Sequence, residues 1–389
     1  MTGTRQLTAL RATWLFDGET SRPDPVVLLD GGTVVGVGSV PPGVEVIDLP
    51  GTTVMPGLVD PHVHLALDAG PDPVGGLAAR SDAETVAAMI RAARTALRAG
   101  ITTVRDLGDR DFLSLGLRGR ADLPTILAAG PPITSPGGHC HFLGGAVPAT
   151  EQGIRTAVRE RAERGCDVVK IMASGGSLTP GSNQADSQFG PAELRAAVDE
   201  AHRLGLPVTA HAHGEQAIED AVAAGVDSLE HVSFWTNEGV ADRPDLIRAI
   251  VEQRVIVGAT MGRDPSMAGM APPPPILARL PFMIATLGRL VAEGAIVVAG
   301  TDGGIAPMKP HDVLRHVLPD LLSVGMSPVD ALGTVTSKAA GACGLAHTKG
   351  RLLPGYDADL LVVDGNPLTD PTALARVRAV YKNGVLVND

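Results

Sequence analysis

Apolar and polar positions along this chain follow three successive rhythms. Residues 1–53 alternate or run apolar in short stretches, RATWLFDGE, PVVLLDGGTVVGVGS and VEVIDLPGTTV, with DG, GG and PPG between them. No helical period is visible there, so the pattern predicts short strands joined by turns, a small β-layer. From Val54 the rhythm changes to an apolar run, a polar motif and a helix-like stretch, repeated. The runs are GLVDPHVH, GITTVRDLGD, LPTILAAGPP, CDVVKIMASGG, LPVTAHAHG, GVDSLEHVSF, RVIVGAT and AIVVAGTDGG. Seven of these eight are short, β-branched and apolar, as expected of strands buried on both faces.

The stretches between them carry helix signals. Ser81 to Ala99 has Ser81 as N-cap, Glu84 at the capping-box position and Gly100 as stop. Thr150 to Arg164 is a second helix, and PAELRAAVDEAHRLG opens with Pro191 and closes at Gly205. Strand and helix alternating eight times over ~250 residues predict an α/β fold, a (β/α)8 TIM barrel. Helices are expected around 310–323 and 328–342. After them GRLLPGYDADLLVVDGNP and ALARVRAVYKNGVLVN return to β-rhythm around DG and NG turns. The tail can complete the N-terminal layer. The expected organisation is a discontinuous β-sandwich from residues 1–55 and 346–389, around a barrel of residues 56–345. The segment Met261 to Pro275, with four consecutive prolines and three methionines, reads as a surface excursion; a substrate-facing lid is the alternative.

Composition narrows the function classes. The 389 residues are 44% hydrophobic and 19% charged, enough for a sizeable core. The formal charge of −11 argues against a nucleic-acid or acidic-membrane partner. Cys140, Cys166 and Cys343 are scattered and form neither a disulfide framework nor a CxxC metal knuckle. The N-terminal stretch lacks a long apolar segment and no run of 18 apolar residues occurs, so neither a signal peptide nor a membrane span is expected, and the cytoplasm is the expected location.

The candidate chemistry sits at strand ends. His62 and His64 stand two apart, and on an extended strand residues i and i+2 point the same way, so both imidazoles can enter one cavity. His211 and His213 repeat the arrangement on the fifth strand. His231 closes the sixth and Asp302 the eighth. Lys170 lies inside an apolar strand, where an unpaired ammonium is costly; it needs a salt-bridge partner or a modification. Active sites of such barrels lie at the C-terminal strand ends, where all of these fall.

The order His62-x-His64, Lys170, His211, His231, Asp302 resembles the amidohydrolase superfamily. The resemblance covers nearly the whole chain. TTVRDLGD, SPGGHCHF, VVKIMASGG and VTAHAHG bring it nearest to the imidazolonepropionase-like branch of metal-dependent Xaa-Pro and Xaa-Arg dipeptidases and ochratoxin-type amidases. It implies two divalent ions, zinc foremost and manganese or cobalt as alternatives, bridged by a carbamylated Lys170. His62, His64, Lys170 and Asp302 would hold one ion, and Lys170, His211 and His231 the other. It also implies cleavage of an amide bond in a dipeptide or N-acyl amino acid, ochratoxin-like amides included. A shared water activated by the metals would attack, with Asp302 as general acid/base. His139 is read as substrate-binding, and His213 as supporting the ligands or facing substrate. Arg105 and Asp106 are either an ion pair or substrate contacts, and Ser174 to Gly176 either backbone donors or a plain turn. His202, His311, His316 and His347 are expected at the surface. A lactonase, a cyclic-amide hydrolase, or a mononuclear deaminase with Glu215 as base are the competing activities. A small-molecule substrate and a symmetric homo-oligomer are the expected partners.

Overall fold

The computed structural model describes residues 7–23 and 25–388. Residues 1–6 and 24 of the predicted β-layer, and residue 389 at its other end, lie outside the described residues. All eight predicted barrel strands form: β1 (Leu58–Val63), β2 (Ile101–Asp106), β3 (Thr125–Ala128), β4 (Val169–Met172), β5 (Val208–Gly214), β6 (Ser228–Trp235), β7 (Ile256–Thr260) and β8 (Val297–Gly300). Neighbours run parallel, in two hydrogen-bonded arcs, β1-β2-β3 and β4-β5-β6-β7-β8.

Two narrow seams close the arcs into a barrel. At one, Asp302 N–H donates to the His62 carbonyl at 2.8 Å and His64 N–H to the Gly303 carbonyl at 2.9 Å. At the other, Ile133 N–H donates to the Lys170 carbonyl, and Met172 N–H to the Ile133 carbonyl, both at 2.8 Å. Candidate ligands therefore sit on the joints. Glycine is required at the first seam, since a Cβ on Gly300 would lie 2.7 Å from that of His62.

The helices begin where the caps predict. Asp82–Arg98 carries the complete Ser81/Glu84 capping box, and Glu151–Glu163 is capped by Thr150. Pro191–Arg203 ends before Gly205 at φ 76°. The stretch expected as one helix over 328–342 is instead two, Pro328–Gly333 and Ser337–Ala342. The break frees backbone carbonyls for the barrel: Val59 N–H donates to Val335 at 2.8 Å, and Ala299 N–H to Thr334 at 3.1 Å. The 310–323 region is likewise a 3-10 turn, Val313–His316, and a short helix, Leu318–Ser323.

Both chain ends meet in one eight-stranded sheet. Its path is Val385–Leu386, Val377–Lys382, Leu360–Asp364, Glu45–Pro56, Leu7–Phe16, Val26–Asp30 and Thr33–Val37, with Ser21–Pro23 pairing beside Leu7–Phe16. Two of these strands are 10 and 12 residues long, longer than the turn-rich sequence suggested. Glu45–Pro56 joins the halves, with Val54 opposite Val362. Leu10, Leu15, Val54, Leu360 and Val362 are fully buried between them. Burial of side chains this size stabilises by about 1.5–3 kcal/mol each.

The helix Pro274–Ala292 stands apart. Among its residues only Leu290 is buried, and Leu277, Phe282 and Ile284 are exposed. The sequence has no unbroken apolar run of membrane length. Yet this 19-residue helix is, by length and composition alone, long and apolar enough to cross a membrane, although Arg279, Pro281 and Arg289 interrupt its apolar run. Arg279 stacks 4.5 Å from the Trp235 ring, and Arg289 pairs with Asp242, which ties the helix to the barrel.

Candidate active site

His62, His64, Lys170, His211, His231 and Asp302 line one narrow cavity of about 20 Å³, together with His139. Two ligand positions carry uncommon backbone. His231 has φ 77° and Asp302 φ 58°, left-handed values that cost non-glycine residues about 1–3 kcal/mol each. In β6 the ladder to β5 slips between Ala212 and Gly214, and Val232 and Phe234 also have positive φ. Such irregularities re-aim side chains beside active sites. Simple strand alternation could not have placed His231 there.

Hydrogen bonds fix the imidazole tautomers. His62 Nδ1 lies 2.9 Å from Glu230 Oε2, and His64 Nδ1 lies 3.0 Å from the Gly108 carbonyl. Both partners only accept, so both Nδ1 atoms carry hydrogen. The Nε2 lone pairs of the neutral rings then face Asp302 Oδ1, at 3.4 and 3.3 Å. Two lone pairs and a carboxylate converging in a buried space repel unless a cation lies among them. His211 follows the same logic in reverse. Its Nε2 donates to the Gly175 carbonyl at 3.0 Å, which leaves Nδ1 as its free acceptor. His231 Nδ1 lies 2.9 Å from Thr260 Oγ1. Among the described residues, two groups offer ligand atoms within 4.8 Å of one another: His62, His64 and Asp302, and His211, His213 and His231.

Electrostatics agree with a cation site. Burial, followed by neighbouring imidazoles, pushes His211 and His231 well below the usual histidine range. Burial works against the Asp302 charge, and positive charge at His62 and His64, which Asp302 in turn raises on His64 against burial, is what holds its carboxyl below the usual carboxylate range; a cation among the neutral rings supplies that charge instead. Lys170 is 1% exposed, and its Nζ has no hydrogen-bond partner. Burial lowers its pKa, which favours a neutral, nucleophilic amine. The salt-bridge alternative for Lys170 finds no partner here. These residues fit a divalent-metal pair.

The other candidates separate. His139 is buried on the cavity wall, with Nδ1 unpartnered and its ring 4.7 Å from that of His211. A Cβ on Gly176 would lie 2.3 Å from His139 Nε2, so that glycine makes its room. His213 is not among the cavity-lining residues. It stacks on His231 at 4.3 Å, and its Nδ1 meets Ser233 Oγ at 2.6 Å. Arg105 and Asp106 do not pair with each other. Arg105 reaches Glu230 at 3.2 Å, while Asp106 accepts from Gly108 N–H at 3.1 Å. The N–H groups of Ser174, Gly175 and Gly176 are already used by the His211 carbonyl, the Asp186 carbonyl and Ser182 Oγ, so they are not substrate donors. Glu215 pairs with Arg243 at 2.6 Å, away from the cavity, which removes the deaminase base.

His202 and His347 are exposed, as expected, and His316 is half-buried. His311 corrects the surface expectation: it is buried, with Nε2 3.2 Å from the His64 carbonyl. Nothing in its helix-like surroundings signalled that contact. Glu230 was overlooked altogether, although a charged residue inside the apolar run SLEHVSF is the same signal that marks Lys170. A larger open cleft, about 340 Å³, is lined by Arg94, Asp122 and Lys382; Arg94 and Asp122 pair with each other there.

The amidohydrolase family profile matches residues 53–387. An ochratoxinase of Aspergillus niger is 28% identical over 369 residues, spanning 85% of this chain and 75% of its own. A solved Xaa-Pro dipeptidase with methionine bound in its active site is 26% identical, with a TM-score of 0.82 over 98% of this chain and 100% of that one. A prolidase complexed with N-methylphosphonate-L-proline is 27% identical, with a TM-score of 0.82 over 98% and 99%. The chain therefore belongs to the amidohydrolase family and is a hydrolase acting on C–N bonds.

Proposed function

We propose that the protein is a binuclear metal-dependent hydrolase that cleaves the amide bond of a dipeptide or an N-acyl amino acid, ochratoxin-like amides included. One observation carries the reading: Lys170 Nζ, buried without a partner, shares a cavity with two sets of metal-ligand atoms. His62, His64 and Asp302 would hold one ion, and His211 and His231 the other. Addition of CO2 to neutral Lys170 Nζ, with loss of one proton, would give a carbamate, an anionic ligand in place of the unpartnered amine. Bound divalent ions supply Lewis acidity toward the substrate carbonyl and lower the pKa of the attacking water.

The chain's own groups do the rest. Asp302 takes the proton from the attacking water and passes it to the departing amine, so the acid and amine products balance the water consumed. His139, with its free Nδ1, binds a substrate carbonyl or carboxylate oxygen. The relatives support this class: one is named for ochratoxin, one is a Xaa-Pro dipeptidase and one a prolidase.

The test is elemental analysis of protein grown with zinc or manganese and bicarbonate, paired with a library of dipeptides and N-acyl amino acids. About two metals per chain with release of a free amino acid is the expected result. One metal per chain, or ammonia release without amide cleavage, would replace the reading with a mononuclear one.

A further inference from the structure

We infer that Glu230, clamped by Arg105, is a positioning residue that presents His62 to the metal site; the inference rests on the two-metal reading above. In a barrel of this kind the layer beneath the site is ordinarily filled by branched apolar side chains. Here it holds a carboxylate 1% exposed and a guanidinium 3% exposed. The fold alone gives no reason for this, because a buried ion pair is often no better than an apolar pair of similar volume.

The contacts give a reason. One carboxylate oxygen, Oε2, takes the His62 Nδ1 hydrogen at 2.9 Å. The other, Oε1, accepts from Arg105 Nη2 at 3.2 Å and from Thr209 Oγ1 at 2.8 Å. Both oxygens are thus assigned, and the carboxylate cannot rotate away from the ring without leaving a donor unpaired. Arg105 also holds His62 from its backbone side. Its Nε donates to the carbonyl of Pro61, the preceding residue, at 2.8 Å, and its Nη1 to the Ala342 carbonyl at 3.2 Å. His62 is gripped at the main chain and at the ring by one connected unit.

Space for the carboxylate is built in. A Cβ on Gly258, in β7, would lie 2.0 Å from Glu230 Oε2. Gly258 has no left-handed φ that would demand glycine on backbone grounds, so the missing side chain serves the carboxylate. Glu230 is also covalently adjacent to His231, a ligand proposed for the other ion. The same short segment therefore sets the ring of one ligand and the backbone of another. Carboxylates that accept from the outer nitrogen of a ligating histidine fix its tautomer and typically contribute ~10- to 100-fold in metal affinity or activity.

The experiment is chelator competition on Glu230→Gln and Gly258→Ala, with Zn²⁺ or Mn²⁺ as probe, alongside thermal unfolding of the metal-free proteins. A glutamine has one acceptor where the network needs two, so either His62 or Arg105 loses its partner. Gly258→Ala leaves every charge in place and only displaces the carboxylate. The expected result is a ~10- to 100-fold weaker dissociation constant for one of two ions in each variant, measured where both remain folded. A pair that serves only the fold would lower Tm in Glu230→Gln and leave both metal constants at wild-type values; that result overturns the inference. Wild-type metal uptake without amide hydrolysis would overturn the substrate reading and leave Glu230 in its role. A wild-type chain that takes up no metal overturns both.

Discussion

Two buried lysine sites in this molecule are built on opposite principles. At the sheet, Lys349 in the bend that precedes Leu360–Asp364 and Lys382 at the end of Val377–Lys382 are 6% and 7% exposed, and both are fully engaged. Lys349 Nζ lies 2.7 Å from Asp357 and 2.6 Å from Asp359, and Lys382 Nζ lies 3.0 Å from Asp359 and 3.2 Å from Thr125 Oγ1 on β3. In the barrel, Lys170 is more buried and has no partner. A buried charge satisfied by its own fold is a structural device, here one that fastens the sheet to the barrel. A buried amine that the fold leaves unsatisfied marks a place completed from outside.

The largest effect that would break this contrast is at Lys170. Lys170→Met keeps the volume and removes the amine. Metal content and amide hydrolysis should both be lost, while Tm of the metal-free protein is unchanged or higher. A metallated, active Lys170→Met would remove the carbamate from the scheme.

Asp302→Asn comes next. It should cut turnover by about 10²–10⁴-fold, as expected for loss of a general acid/base, with the fold intact by circular dichroism. Near-normal rates would move the proton-transfer role to another group.

Asp359→Asn should do the reverse of both. It leaves the buried Lys382 ammonium without a carboxylate and Lys349 with Asp357 alone, and should cost about 3–5 kcal/mol in urea unfolding, with kcat of the folded protein unchanged. Equal stability would show that the sheet's lysines do not need their carboxylate.

The smallest effect concerns Glu200, which side-chain hydrogen bonds from Arg203 and then Arg159 hold down at about 2. Its folded pKa is depressed, so its contribution is complete above the ordinary glutamate value and disappears as pH falls toward about 2. Glu200→Gln should be less stable than wild type at neutral pH, with the two curves converging across that acid window. Curves that stay parallel would mean that the arginines contribute nothing through charge.

The contrast also explains what was legible in the sequence. Strand periodicity located all eight barrel strands, because buried parallel strands must be apolar and polar ligands stand out at their ends. Caps such as Ser81 and Thr150 located helix starts, because they answer a local hydrogen-bond demand. The break at Thr334–Thr336 was not legible, since its cause is a carbonyl demand from β1 and β8, distant in sequence. The roles of Glu230 and His311 depend on partners 168 and 247 residues away, which no local pattern records. The left-handed backbone at His231 was equally hidden, because it arises from a slip against β5.

The seam between β1 and β8 has a consequence for how the protein is made. Asp302 meets His62 and His64 only when the last barrel strand docks on the first, through the Asp302–His62 and His64–Gly303 backbone bonds. A nascent chain that has emerged as far as β7 possesses both His-x-His pairs but lacks Asp302. The site thus comes into being at the closing of the ring. Ions bound there favour the finished barrel over every open form by mass action, and metal uptake during synthesis would report that the ring has closed.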